Sequence, residues 1–280
     1  MIRNSLLLLA SLSVLIGVAE AQSQGAQGAD PLSQPLSRWR LGVALGYGFR
    51  ENPLIQSDDV PILVDIDVAW FGDRVFFDNG DLGLTVTNND ALTLDLVARI
   101  NSERVFFGRT NTRFITLDAS GTTLDTPVLL DVPDRDFAIE LGVEMLTDGD
   151  WGRLEVGAYR DVSATHGGYE IYGDYGYGWR QGRWYLDSAV GFSYKSQALN
   201  DYYWGVTEGE TLASQGLLPA YDAGSGVNVS ARLSVSYFFN QHWSFAMASE
   251  YERMNDHAAS SPLVAQRHIV GYFTGLSYRF

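Results

Sequence analysis

The sequence predicts an all-β fold, an antiparallel transmembrane β-barrel of about twelve strands of the outer-membrane type. Three observations carry the prediction: period-two alternation in segment after segment, connections that are alternately long and short, and an aromatic last residue. The stretch His268 to Phe280 shows the pattern at its clearest. Phe280, Tyr278, Leu276, Thr274, Tyr272 and Val270 share one face, and Arg279, Ser277, Gly275 and Gly271 lie on the other. Such a strand can set its greasy face against lipid and its small or polar face toward a wet lumen. It would equally close a soluble sandwich, so the remaining segments have to decide.

From the amino terminus, Arg3, an apolar run from Leu6 to Val18 and Ala19-Glu20-Ala21 have the form of a secretory signal peptide, with cleavage expected after Ala21. The run is too short for a spanning helix, and no longer apolar run follows, so any span has to be made of strands. Residues 22–38, rich in Gly, Gln, Ser and Pro, form a lead-in, and the barrel is expected over 39–280.

The strands then follow in order. Trp39, Leu41, Val43, Leu45, Tyr47 and Phe49 oppose Arg40, Gly42, Ala44, Gly46 and Gly48. Ile62, Val64, Ile66, Val68 and Trp70 are expected to face lipid, away from Asp65 and Asp67. Two short strands flank Asn79-Gly80, and Leu92 to Ile100 turns Asp95 and Arg99 inward. Phe137 to Met145 sets Glu140 and Glu144 on the lumen face, and Arg153 to Asp161 follows a Thr147-Asp148-Gly149-Asp150 turn. Tyr169 to Trp179 and Trp184 to Tyr194 make a hairpin around Arg180-Gln181-Gly182-Arg183. Val227 to Phe239, with Arg232 inward, turns at Asn240-Gln241 into Trp243 to Tyr251.

Connection lengths test this assignment independently. With Trp39 starting upward, the connections at 50–59, 79–81, 102–135, 162–168, 196–226 and 254–267 share the outer side, and those around Gly72, Asn88, Asp148, Gln181 and Asn240 share the inner side and are short. Trp39, Trp70, Trp151, Trp179, Trp184 and Trp243 all fall beside inner strand ends, as an interfacial girdle would. A soluble sandwich gives no reason for that sorting.

Composition removes several functions. A net charge of −15 argues against nucleic-acid binding, and the absence of cysteine excludes disulfides, thiolate metal sites and acylation at a mature Cys. The four histidines are scattered singly, so no metal or other cofactor is expected. Asp161, Ser163 and His166 include the residue types of a hydrolase triad, but crowded into six positions they read better as a loop bonding its own backbone. Lumen-facing acids (Asp65, Asp67, Asp95, Glu140, Glu144, Glu155, Glu170, Asp174, Asp187) outnumber the bases Arg40, Arg99, Lys195, Arg232 and Arg279. The alternatives are a barrel filled by ion pairs, with Arg99 beside Asp95, and a narrow passage favouring cations. Three adjacent aromatics, Tyr202 to Trp204, suit an anchor, a partner contact or a plug over the mouth.

Asp161-Val162-Ser163-Ala164-Thr165-His166-Gly167, Asp201-Tyr202-Tyr203-Trp204-Gly205-Val206, Ser261-Pro262-Leu263-Val264 and the Tyr278-Arg279-Phe280 end together resemble the MipA/OmpV family of outer-membrane proteins. The 102–135 stretch has no counterpart in the match. The resemblance implies an outer-membrane barrel in contact with outer-membrane lipid, whose terminal Tyr278 and Phe280 serve as an assembly signal. It further implies a scaffold that meets a murein-cleaving lytic transglycosylase and a penicillin-binding protein. Other members have been discussed as porins or adhesins, and a membrane enzyme is the remaining alternative.

Overall fold

The computed structural model describes residues 39–89, 91–107 and 133–280. The expected signal peptide (1–21), the lead-in (22–38) and most of the 102–135 loop lie outside the described residues. Twelve strands form one closed antiparallel barrel in which each strand pairs with its neighbours in sequence and β1 closes on β12. They are β1 (Trp39–Arg50), β2 (Val60–Phe71), β3 (Val75–Asp78), β4 (Asp81–Asn89), β5 (Leu92–Ile100), β6 (Ile139–Gly149), β7 (Gly152–Asp161), β8 (Tyr169–Gln181), β9 (Trp184–Lys195), β10 (Gly226–Phe238), β11 (Trp243–Arg253) and β12 (His268–Arg279). Among the described residues, three short helices, α1 (Gln197–Trp204), α2 (Glu208–Ala213) and α3 (Asp256–Ala259), and a 3₁₀ turn (Glu103–Phe107) lie in the long connections. No helix among the described residues is long and apolar enough to cross a membrane.

Alternation becomes two surfaces. Leu45, Tyr47, Leu141, Val190 and Phe192 are exposed on the outside of the wall, the expected state for side chains whose solvent is lipid. The inward face is small where strands approach closely. A Cβ on Gly46 would stand 2.1 Å from the Thr274 carbonyl oxygen, and one on Gly48 2.3 Å from that of Tyr272. These glycines let β1 lie tightly on β12 at the seam that closes the barrel.

One expectation is overturned at the outer half of β2. Leu45 pairs with Val64 but Gly48 with Ile62, so three steps on β1 match two on β2. This bulge changes which residues face inward beyond it. Ile62, expected to face lipid, is only 2% exposed and packs on Ala44 and Phe273, whereas Leu63 is 58% exposed. A second register shift separates Thr85 from Thr87 on β4.

The two ends differ. At the inner end the turns are local: Asn240 Oδ1 accepts from the amides of His242 (2.8 Å) and Trp243 (2.9 Å), and Gly182 takes a positive φ of 61°. Aromatic rings gather there, with Trp39 on Trp70, Trp184 on Tyr237, and Trp243 and Phe280 on Tyr278. On the outer side, Asn79 and Gly80 both take positive φ, as a tight hairpin requires. The long connections fold together into an apolar cap of Leu54, Phe106, Phe107, Leu199, Tyr203, Trp204 and their neighbours.

Candidate functional site: lumen and loop cap

Ion pairs tie inward-facing side chains of neighbouring and nearby strands along the inner wall. Arg40 donates from Nε to Asp67 and from Nη2 to Asp78, each at 2.9 Å, and Asn79 binds both carboxylates. Arg232 meets Asp174 at 2.7 Å. Arg99 donates from Nε to Glu140 at 2.9 Å, bonds Glu170 with its other arm, and lies 3.6 Å above the Tyr159 ring centroid. Its expected partner, Asp95, is not engaged. Four residues along a strand separate the two by about 13 Å, while Glu140 is the register partner of Arg99 on β6.

The acids do not all find bases. Glu144 is bonded by Tyr159, and the Tyr172 hydroxyl lies between Glu144 (2.7 Å) and Glu155 (2.6 Å). One buried carboxylate oxygen of Asp65 and one of Asp95 have no hydrogen-bond partner. Glu140, wholly buried, is the most fully held. It accepts from Arg99, from Asn101 at 2.9 Å and from the His166 ring at 3.2 Å.

Asp161, Ser163 and His166 are brought together, but not as a catalytic relay. Asp161 accepts from the Ser163 amide (2.8 Å) and hydroxyl (2.7 Å) and from the amides of His166 (2.7 Å) and Gly167 (2.8 Å), which folds the chain back on itself. The Ser163 hydroxyl also accepts from the Ile139 amide at 3.0 Å. In the His166 ring, Nδ1 accepts from the Gly168 amide at 2.9 Å. That leaves Nε2 to carry the proton toward Glu140, away from Ser163. The loop so tied seats β7 and β8 against the lumen network.

The Asp201 to Val206 stretch forms the heart of the cap. Tyr203 and Trp204 are 0% and 1% exposed. Of the readings open for these aromatics, burial beneath the neighbouring loops is the one they adopt. The Tyr202 hydroxyl accepts from the Asp136 amide at 2.8 Å, the Tyr203 hydroxyl donates to the Asp136 carbonyl, and Trp204 Nε1 donates to Glu103 at 3.1 Å. Asp201 accepts from the Gly224 amide at 2.9 Å. Gly205 admits no side chain, because a Cβ would lie 2.3 Å from the Asp201 carbonyl oxygen. Arg135 clamps the far side, donating to the Gly205 carbonyl at 3.1 Å and to Glu210 at 2.6 Å. Burial works against the Glu210 carboxylate. The Arg135 hydrogen bond and the Thr207 amide outweigh it and hold the Glu210 pKa below its ordinary value.

Beneath the aromatics lies a charge cluster that joins cap to wall. Lys195, the chain's single lysine, bonds Glu103 and lies 3.8 Å from Glu252, which stands 3.6 Å from Arg50. The sequence placed Lys195 in the lumen but gave no sign of Glu103, which comes from the connection with no recognisable pattern. A single lysine on an acidic inner face was the available signal.

Comparison with known proteins now bears on this arrangement. A family profile described as MltA-interacting protein MipA matches residues 31–280. The chain belongs to the MipA family. Family relatives include the putative outer membrane protein YiaT of Escherichia coli K12, 21% identical over 86% of this chain and 91% of that protein. Omp26La of Vibrio anguillarum is 29% identical over 55% of this chain and 61% of its own length. The MltA-interacting protein of Escherichia coli K12 is 31% identical over 32% of this chain and 36% of its own. Among solved structures, an outer membrane channel from Pseudomonas putida F1 aligns over 91% of this chain and 98% of its own, with 10% identity and a TM-score of 0.39. The MipA-family chain described here is an outer-membrane β-barrel.

Proposed function

We propose that this protein is a non-enzymatic barrel that serves as an outer-membrane scaffold for peptidoglycan-remodelling enzymes, a lytic transglycosylase and a penicillin-binding protein. The observation that carries this reading is the bracing of the wall. The cap of Tyr203, Trp204, Phe106 and Phe107 packs the outer connections together, and the pairs of Arg40, Arg99 and Arg232 tie nearby strands to one another below it. A barrel built this way is a stiff anchor, and the enzymes it serves meet the short turns and aromatic rim of its inner end. The name of one relative, MltA-interacting protein, supports the same partner class. No hydrolytic role is assigned, because Ser163 is bonded to Asp161 while His166 faces Glu140.

A second reading, a small cation-preferring or solute channel, draws on Asp65 and Asp95, each of which keeps one buried carboxylate oxygen without a hydrogen-bond partner. The two are separated by co-purification and conductance. The scaffold reading expects the transglycosylase to be retained by tagged protein from native membranes, with no steady current in a planar bilayer. A reproducible cation-selective current without any retained enzyme would replace it with the channel.

A further inference from the structure

At the outer end of β11 and β12 the lipid-facing surface changes character within one rung. On these two strands Tyr251, 45% exposed, and its register partner Val270 end the apolar band, while Val227 and Val229 of β10, 49% and 47% exposed, continue beside it. The next outward position on β11 is Arg253, whose register partner on β12 is His268. Arg267 precedes His268 in the chain, so three basic side chains stand together on one short arc of the rim. The arginine side chains are 62% and 66% exposed, and each places a guanidinium nitrogen 3.8 Å from the single carboxylate of Asp256. The His268 ring lies on Tyr251, with centroids 6.2 Å apart and planes 20° from parallel.

This grouping runs against the composition of a chain with a net charge of −15. Pairing within the protein does not account for it. One exposed carboxylate at the limit of ion-pair distance is shared by two guanidinium groups, and exposed pairs of this kind contribute little to stability. Most of the guanidinium donors therefore remain directed outward. Their level is informative: on β11 and β12 they begin where the apolar residues end, with an aromatic ring immediately below and Val229 of β10 alongside, which is the boundary between acyl chains and headgroups in an outer-membrane barrel.

We propose that Arg253, Arg267 and His268 form a binding site for the phosphate groups of a phosphorylated glycolipid in the outer leaflet. A phosphate offers what Asp256 lacks, three oxygens that can take parallel N–H donors from two guanidinium groups at once. Asp256 holds the two arginines side by side and yields them to the lipid. Tyr251 and Val270 receive the first acyl carbons beneath, and Val229 flanks them on β10. This site is independent of whether the interior of the barrel scaffolds or conducts.

The test uses purified full-length protein in detergent, mixed with a doubly phosphorylated lipid A and observed by native mass spectrometry. The unmutated protein is expected to retain one lipid. The Arg253→Gln, Arg267→Gln double variant is expected to lose about tenfold or more in affinity, the scale of one or two charge-assisted hydrogen bonds. Asp256→Asn is expected to bind as tightly as the unmutated protein or more tightly. A heat-dependent gel shift checks that each variant is folded, and Arg267→Gln alone, outside the strands, reads the same loss if the double variant does not assemble. Equal retention of the phosphorylated lipid by folded variant and unmutated protein would overturn the proposal. So would equal binding of a dephosphorylated lipid A. Displacement of the lipid by millimolar inorganic phosphate would show a free-anion site and would equally defeat the lipid assignment.

Discussion

The two ends of this barrel are held by different physics. At the inner end every connection is short, the turn residues bond within the turn, and aromatic rings meet their nearest neighbours in the sheet. At the outer end, residues far apart in sequence converge. Lys195 of β9 meets Glu103 from the 3₁₀ turn, Trp204 donates to the same glutamate, and Ser261 donates to the Trp204 carbonyl at 2.5 Å. Local order closes the inner end, and long-range polar contacts under an apolar cap close the outer one. Damage to a single buried charge should therefore spread at the outer end and stay contained at the inner one.

The largest expected effect tests that contrast directly. Lys195→Met leaves Glu103 and Glu252 facing each other without their shared cation. Breaking a buried pair by removing one partner costs about 3–5 kcal/mol. The variant should unfold at a markedly lower temperature in a heat-dependent gel shift, and adding Glu103→Gln should restore part of the loss. A Trp243→Leu variant at the inner end should move the same temperature far less. Equal losses at both ends would remove the distinction.

Next in size is Arg99. Its removal takes the arginine from Glu140, which is wholly buried and keeps Asn101 and His166, and from Glu170, at a cost of about 1–3 kcal/mol or more for charged groups. Because Arg99 engages Glu140 and not Asp95, Arg99→Ala should be partly rescued by Glu140→Gln and not by Asp95→Ala. Thermal unfolding of the three variants decides between the two pairings.

How much of this was legible in the sequence follows the same division. Twelve strands, their turns and the sorting of long and short connections could be read because period two and turn chemistry are local. The bulge opposite Leu63 could not, since only the pairing of β1 with β2 sets it, and it turned Ile62 from lipid to core. The partners of Asp65, Asp67, Asp95, Glu140 and Glu144 could not be read, because a cross-strand pair is invisible within one strand, and Arg99 took Glu140 where Asp95 was expected. The cap was least legible. Leu54, Phe106, Phe107, Leu218 and Leu263 sit in loops with no periodicity to mark them as core.

A smaller effect concerns acidity. The Glu210 pKa is held below its unfolded value, so the group contributes stability that is fully present above that unfolded value, near 4.3, and is lost as pH falls through the folded one. Proteolysis of the α2 connection should therefore quicken as pH falls below about 4. Arg135→Gln should make that connection susceptible already at neutral pH and flatten its pH dependence. An unmutated loop equally resistant at pH 3 and pH 6 would count against the clamp, those two values being roughly either side of the glutamate range.

The smallest expected effect lies at Ser163, where an enzyme and a turn make opposite demands. If the hydroxyl were a nucleophile, its loss would abolish an activity and leave folding untouched. In the structure its proton goes to Asp161 and its oxygen receives the Ile139 amide, so the group ties a loop to the start of β6. Asp161 keeps its bonds from the Ser163, His166 and Gly167 amides when the hydroxyl is gone. The exposed Ile139 amide and the Thr165 hydroxyl each need a new partner, and water can supply it. Ser163→Ala should accordingly cost about 0.5–1.5 kcal/mol, the ordinary worth of one hydrogen bond. Asp161→Ala, which frees four donors, should cost several times more and loosen the packing of His166 on Glu140. Thermal unfolding of the two variants measures the ratio. A Ser163→Ala protein that unfolds like the unmutated one but loses hydrolysis of an ester substrate would make this loop an active site.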